Sequence, residues 1–417
     1  PTGAGLPAGP AAGAGLPAGQ PAGPGFPPAL AALLAGLGPL SAAAVVRDGR
    51  VTLTPGADPA VTVESPGDEA WPIGAVSGEP DAFACLNAAS TLAPLRVHIG
   101  RGHQPGATVV VVNWLEADGA AAFPRLLVHA EANTEAAVVE VTASADVASL
   151  VVPVTELDVA PGANLAYTNV QLLGPRAWQV GLQASRVGRD ATLTSASVAL
   201  GGDYARVRTD SSLVGDGASG RLVAVWFASG TQMPDLRTVQ DHQAAKTSSD
   251  LVFKGAVAGQ AHSVYTGLIR VAKGAAGTNA MQTNRNLVLS EGAQADSVPN
   301  LEIEDNDVRC SHASAVGPIE PDQRFYLESR GVPTEVADRL VTLGFLDDVL
   351  ARVPAAGLRP WLRLEMAARL EAAEAAEAGA AAAHAAEAHA AEAGAAAAHA
   401  AEAGASEAGA AGAPAGG

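Results

Sequence analysis

Asp305–Pro333 reads DNDVRCSHASAVGPIEPDQRFYLESRGVP, and its reading decides the fold because two structural grammars meet inside it. Upstream of Pro318 the chain alternates in strand fashion; from Pro321 onward it carries helix signals. Pro321 stands at a helix-start position, where its missing N–H costs nothing, and Gly331 supplies a stop. On the strand side Cys310 and His312 are two residues apart, so both side chains project from one face.

Working upstream, short β-rich runs recur from about Ala44 to Val316 with almost no helical period. The clearest are Val109–Asn113, Leu126–His129, Val138–Thr142, Leu150–Val159, Ala191–Leu200, Leu222–Phe227, Leu251–Val257, His262–Val271 and Leu287–Leu289. Glycine corners precede several of them at Gly106, Gly162, Gly188 and Gly217, and the last three are 26 and 29 residues apart. That interval is a coil of a solenoid rather than the rhythm of hairpins. The expected fold is therefore mainly β, a right-handed parallel β-helix whose coils stack strand on strand, with a C-terminal α-helical domain and low-complexity termini. Asn284 and Asn286, in phase on one strand, are placed to extend polar ladders between coils. An antiparallel sandwich is the alternative that pattern alone leaves open.

Downstream, Thr334–Val353 carries a helical stripe of Val336, Leu340, Leu343, Leu346, Val349 and Leu350, and 358–376 continues with Leu358, Leu362, Leu364, Met366 and Leu370. These helices would cap the β-region, as a solenoid end requires. The final residues repeat AEAGAAAAHAAEA at 376–388 and 391–403, with glycines at 379, 394, 404 and 409 expected to fray any helix. His384, His389 and His399 do not stack one turn apart and read as polar punctuation. At the other end, residues 1–28 are Pro, Ala and Gly with almost nothing to bury, and the apolar run Ala29–Val46 reads as a short helix entering a strand rather than a signal sequence. The expected organisation is a disordered segment at 1–28, a β-rich core over 29–317, a helical domain over 318–372 and a tail over 373–417.

The chain carries a net charge of −18, of which seven glutamates after residue 370 supply −7 and residues 1–370 the remaining −11. Such acidity argues against nucleic acid and anionic membranes as partners. Two cysteines in segments of unlike character, Cys85 and Cys310, do not make a disulfide framework, and a reducing cytoplasm is expected. Cys85, among apolar neighbours, is expected in the core. No GxxxxGK[ST] sequence is present, so the chain is not expected to hydrolyse ATP.

The pair Cys310 and His312 carries the chemistry. A thiolate beside an imidazole is a ligand pair suited to iron, copper or zinc. The plainer reading makes Cys310 a small buried hydrophobe and His312 a rim residue. Two ligands do not complete a metal coordination sphere, so the remainder would come from another chain. A second cluster, Asp241, His242, Thr247, Ser248 and Ser249, resembles a hydrolase set only loosely, since no GxSxG accompanies it, and it reads as a structural element where coils turn.

VRCSH (308–312), Val316–Gly317, FYLESRGV (325–332), RTVQDH (237–242), Thr247–Asp250, YTGLIRV (265–271), QTNRNLVL (282–289), Pro299–Ile303 and, more weakly, LVVPVTELDV (150–159) occur in an order that resembles the SufD branch of the SufB/SufD family. These are non-ATPase components of the SUF machinery for iron–sulfur cluster assembly, and the likeness covers roughly residues 80 to 370. The resemblance implies a β-helix and a non-catalytic scaffold subunit that pairs with a SufB-like paralogue and binds a SufC-like ABC-type ATPase through its C-terminal helices. It makes His312, and less directly Cys310, a contributor to cluster assembly at the paralogue junction, with no cofactor held stably by this chain alone and a transient iron or Fe–S cluster at the partner interface. Phe325, Tyr326, Arg330 and Gly331 become candidate interface residues. Such chains usually follow Cys-Ser-His with Gly-Ala-Thr, where this one has Ala313, Ser314 and Ala315; they also begin with a helical region bearing a tryptophan motif, so the corresponding region here is expected to be truncated, replaced or divergent. The rival assignments are a SufB-type scaffold and, from a different class, a β-helix carbohydrate-active enzyme.

Overall fold

The computed structural model describes residues 26–410 except 55, 57, 66–73, 78–79 and 105. Most of the Pro/Ala/Gly segment expected over 1–28 therefore lies outside the described residues. A short helix α1 (Pro28–Gly36) leads into β1 (Leu40–Arg47), then β2 (Arg50–Thr54), β3 (Val61–Glu64), α2 (Ala82–Ser90) and β4 (Leu95–Ile99). The chain then winds through β5 (Thr108–Leu115), β6 (Ala120–Ala122), β7 (Arg125–Ala130), β8 (Glu135–Ser144), β9 (Ser149–Val151), β10 (Val154–Val159), β11 (Asn164–Leu172) and β12 (Ala177–Val187). The later coils supply β13 (Thr192–Ala199), β14 (Tyr204–Leu213), β15 (Ser219–Ala228), β16 (Met233–His242), β17 (Ser248–Val257), β18 (His262–Val271), β19 (Asn279–Val288), β20 (Gln294–Ile303) and β21 (Arg309–Gly317).

From β10 onward successive strands alternate between two sheets, ordered β2-β1-β5-β8-β11-β13-β15-β17-β19-β21 and β20-β18-β16-β14-β12-β10-β7-β4-β3, with β6 and β9 pairing beside the second through β12. Among the described residues only β1 with β2 and β3 with β4 pair antiparallel; the other ladders are parallel. This is a parallel β-solenoid of about eight turns, and the sandwich alternative does not hold. Register gives the coil length directly: Tyr204 pairs with Met233 and Ser219 with Ser248, each 29 residues on.

One corner repeats through the stack. Asn133, Gly162, Asp190, Gly217, Lys246 and Gly277 all hold a left-handed φ, between 52° and 76°. Each donates its N–H to the next coil, as Gly162 does to Arg189 O (2.9 Å) and Gly217 to Ala245 O (3.0 Å). The corner closes tightly enough that a Cβ on Gly217 would stand 2.4 Å from Asp190 Oδ1. In the third coil the left-handed residue is thus Asp190, not Gly188 as the glycine spacing suggested.

The lumen mixes apolar and polar layers along the stack. The earlier coils pack Val97, Val128, Leu157, Leu165 and Leu193 into one apolar core. Later coils place Gln240, His242, Ser249, Gln282, Asn284 and Asn286 inside. Asn286 Nδ2 donates to Asn284 Oδ1 at 2.8 Å, so these two bond each other along one strand rather than forming the expected ladder between coils.

After β21 come α3 (Pro321–Glu328), α4 (Thr334–Leu350) and α5 (Arg359–Ala410). Lys254 Nζ on β17 fixes α4 through Asp348 Oδ2 at 2.6 Å and through the Phe345 ring at 4.7 Å. The chain divides into two compact units, up to Met366 and from Ala367 onward; in the second, helix continues through Gly379, Gly394, Gly404 and Gly409, because alanine dominates its helix propensity. Cys85 corrects another expectation: it lies exposed on α2, whose inward side is taken by Ala84 and Asn87. Among the described residues, no helix is long and apolar enough to cross a membrane.

Candidate functional site

β20 and β21 form the last coil and stand at the ends of their sheets, with no further strand beside either among the described residues. The register on β19 sets the facing of every side chain on β21. Cys310 pairs with Ala280, His312 with Gln282, Ser314 with Asn284 and Val316 with Asn286. All four β19 residues are buried in the lumen. Since directly paired strand residues share a face, Cys310, His312, Ser314 and Val316 are the lumen-facing row of the final coil. No coil lies on top of them, so His312, Ser314 and Val316 are exposed although they face inward.

Cys310 is half-buried against Ile269, Val271, Ala275 and Ala280. Burial pushes its thiol up, opposed by the backbone N–H of Ala280, so the free chain holds it as a neutral thiol until a cation or a neighbouring charge draws the proton off. His312 sits above Gln282, whose amide finds no hydrogen-bond partner among the described residues. Ser314 donates to Ser297 Oγ of β20 at 2.7 Å, a bond between the two sheets of the last coil. Ala313 continues the strand without a left-handed φ, so the backbone here makes no demand for glycine. Among the described residues, no third His, Cys, Asp or Glu gathers with Cys310 and His312. The pair offers two donors and leaves the rest of a coordination sphere to another molecule.

The helical candidates flank this end. A cleft lined by Arg285, Leu287, Val316, Gln323, Val341 and Phe345 separates the strand ends from α3 and α4. Arg324 ties the two helices by a bidentate pair with Asp338, at 2.6 and 2.9 Å. Phe325 and Tyr326 are 69% and 57% exposed. The Arg330 guanidinium lies over the Tyr326 ring at 3.7 Å, and Gly331 turns the chain with φ +82°. These four residues make an aromatic and cationic surface on α3 and its exit turn, distinct from the lumen row.

His242 is not solvent-accessible. Its Nδ1 meets Thr247 Oγ1 and its Nε2 meets Ser249 Oγ, both at 2.8 Å, and it is fully buried. Asp241 lies on the opposite face of β16, paired with Arg270 of β18. The sequence neighbours thus do not converge as a catalytic set.

Residues 113–345 match the family described as SUF system FeS cluster assembly, SufBD core domain. The chain is 38% identical over 201 residues to an iron–sulfur cluster assembly SufBD family protein of Mycobacterium tuberculosis, covering 46% of this chain and 51% of that one. It is 30% identical over 214 residues to the iron–sulfur cluster assembly protein SufD of Escherichia coli, 51% of each chain. With SufD of Bacillus subtilis it shares 34% over 175 residues, 42% of this chain and 40% of the relative. The chain spans about half the length of the curated relatives it matches.

Proposed function

This chain belongs to the SufBD core family of the SUF system for FeS cluster assembly, and on that premise we propose that it is a non-catalytic scaffold subunit of the SufD type. The observation that carries the reading is the open last coil: a half-buried thiol and an exposed imidazole on a lumen-facing row over which no further strand stacks among the described residues. Such a half-site acquires a full ligand set only when a second chain abuts it. A SufB-like paralogue would supply that chain by placing its own coil against β20 and β21, whose free edges invite pairing. His312, with a borderline nitrogen at the surface, is the principal ligand to nascent iron or cluster; Cys310, deeper and protonated, is the second. A cluster at this junction is transient cargo, shared between chains and not a resident group of this one.

The helical segment serves a separate contact. Phe325, Tyr326, Arg330 and Gly331 are the residues that would receive a SufC-like ATPase, an exposed aromatic pair with a stacked cation being the composition of an interface anchor. ATP-driven movement of that partner would then reach the junction through α4, which is pinned to β17 by Lys254.

Anaerobic reconstitution with both partners tests the assignment. His312→Ala is expected to lower cluster yield severalfold while the complex still assembles, because the residue is exposed and bears no packing load. Wild-type yield from that variant would remove His312 from the site.

A further inference from the structure

We propose a metal site on the flank of the solenoid, formed by His98, His129 and Glu131, for a first-row divalent cation such as Zn2+, Co2+ or Fe2+. It lies on the early coils, away from Cys310 and His312, and does not depend on the scaffold reading.

The solenoid period brings these residues together. His98 on β4 and His129 on β7 are direct partners in the ladder, and Asp158 on β10 is the next residue in the same row. The inward neighbours Val97 and Val128 are buried, so both imidazoles point outward. Their rings stack at 5.6 Å, 10° from parallel. Glu131 follows two residues after His129 and brings Oε1 to 3.1 Å from His98 Nε2. One donor atom from each of the three lies within 4.8 Å of the others, and among the described residues no other group of three His, Cys, Asp or Glu does so.

The surrounding bonds hold the outer atoms of His129 and Glu131. His129 Nδ1 is 2.8 Å from Asp158 Oδ2, and Arg186 Nε holds Asp158 Oδ1 at 3.0 Å. A carboxylate that takes Nδ1–H fixes the tautomer with its lone pair on Nε2, the arrangement that orients metal-binding histidines. The Arg101 N–H occupies Glu131 Oε2 at 3.0 Å, which leaves Oε1 for the shared centre. The side chains are 33%, 34% and 38% exposed, so an ion can enter and keep water in the remaining positions. Two imidazoles and one carboxylate select borderline cations over Mg2+ and Ca2+, which prefer all-oxygen shells. Binding displaces the proton shared between His98 Nε2 and Glu131 Oε1, either to His98 Nδ1 or to solvent.

Co2+ titration of the chelator-treated full-length protein, followed by visible absorption, tests this. Wild type is expected to take up one more Co2+ than the His98→Ala/His129→Ala variant, and Zn2+ should displace it. His312→Ala and Cys310→Ser should retain that equivalent, separating it from the terminal coil. Glu131→Gln, nearly isosteric, and Asp158→Asn should each weaken it by about 10–100-fold. Equal stoichiometry in wild type and the double-histidine variant, or unchanged affinity in Glu131→Gln, would overturn the site.

Discussion

His242 shows how a titratable residue in a solenoid lumen acts on stability rather than on catalysis. Burial lowers its pKa from 6.5 to about 4, so the folded chain holds it neutral as donor and acceptor between Thr247 and Ser249. The unfolded chain binds a proton there at higher pH than the folded chain does. The contribution is therefore complete above pH 6.5 and is lost as pH falls toward 4, worth about 3 kcal/mol in all. Urea unfolding of wild type and His242→Gln across that range should show a stability difference that shrinks with acidity as the wild type loses its share. A pH-independent difference would mean that His242 is not the group responsible. Gly255 is an equally local case. Its ladder partner is Trp226, and a Cβ at 255 would lie 1.9 Å from Trp226 Cε2 in a ring that is wholly buried. Gly255→Ala is expected to cost about 3 kcal/mol by overpacking, and Trp226→Phe in the same chain should recover part of it. Equal losses in the single and double variants would separate the cost from the indole. A sequence reading sees His242 beside Asp241 and three hydroxyl residues, and what it misses is that strand alternation sends His242 inward and Asp241 outward.

At the scale of elements the coil is the unit, and its corner is the part most exposed to substitution. The left-handed column from Asn133 to Gly277 uses glycine at only three of six positions. Lys246, with φ 57°, pays the steric cost of an L-residue there, and Lys246→Gly is expected to raise stability by about 1 kcal/mol. Gly217→Ala should do the reverse, and more strongly, because its Cβ also meets Asp190 Oδ1 at 2.4 Å. Thermal unfolding of both variants reads the two signs; a stabilising Gly217→Ala would contradict the corner geometry. The same column explains what was legible in the sequence. Gly162 and Gly217 mark corners, and runs such as Leu222–Phe227 and Leu251–Val257 mark strands, because both signals are local; the intervals of 26 and 29 rest on Gly188, which stands two residues before Asp190, the residue that turns. The strands β14 and β16 give no such signal, since serine, arginine, threonine and aspartate on them face a polar lumen or water without apolar alternation. Leu150–Val159 proved to be two strands, β9 and β10, with Val152 and Pro153 between them. His98, His129 and Asp158 are equally hidden in the sequence. Their separations of 31 and 29 are coil lengths, a signal that means contact only once the solenoid is established. Cys310 and His312 needed no such knowledge, being two apart on one strand.

For the whole molecule the deciding asymmetry is between the two ends of the solenoid. At the first, β2 and β3 turn back antiparallel on β1 and β4 and finish the sheets with locally paired strands. At the other, β20 and β21 finish the sheets with free edges, which are templates for another chain. The two edges are not equivalent. Gln294 and Glu304 send their N–H groups to Ala261 and Val271 of the preceding coil, so even-numbered residues of β20 face β18 and Pro299 falls on the free side, where its missing N–H blunts the edge. On β21 Arg309 donates to Thr278, so the odd residues face β19 and Cys310, His312, Ser314 and Val316 turn their backbone groups to the free edge. β21 is thus the edge open to strand addition, and it is the strand that carries His312. Ser314→Pro should remove an edge N–H together with the Ser297 contact while leaving the β19 ladder whole, so the isolated chain should lose no more than about 1 kcal/mol. Ala313→Pro, one residue away, removes an N–H that serves β19 and should destabilise the fold outright. If the paralogue joins by extending this sheet, Ser314→Pro will abolish co-purification with a SufB-like partner while the far-ultraviolet dichroism and urea midpoint stay near wild type. Undiminished co-purification would mean that the two chains meet through side chains alone, and the junction would have to be rebuilt without strand addition.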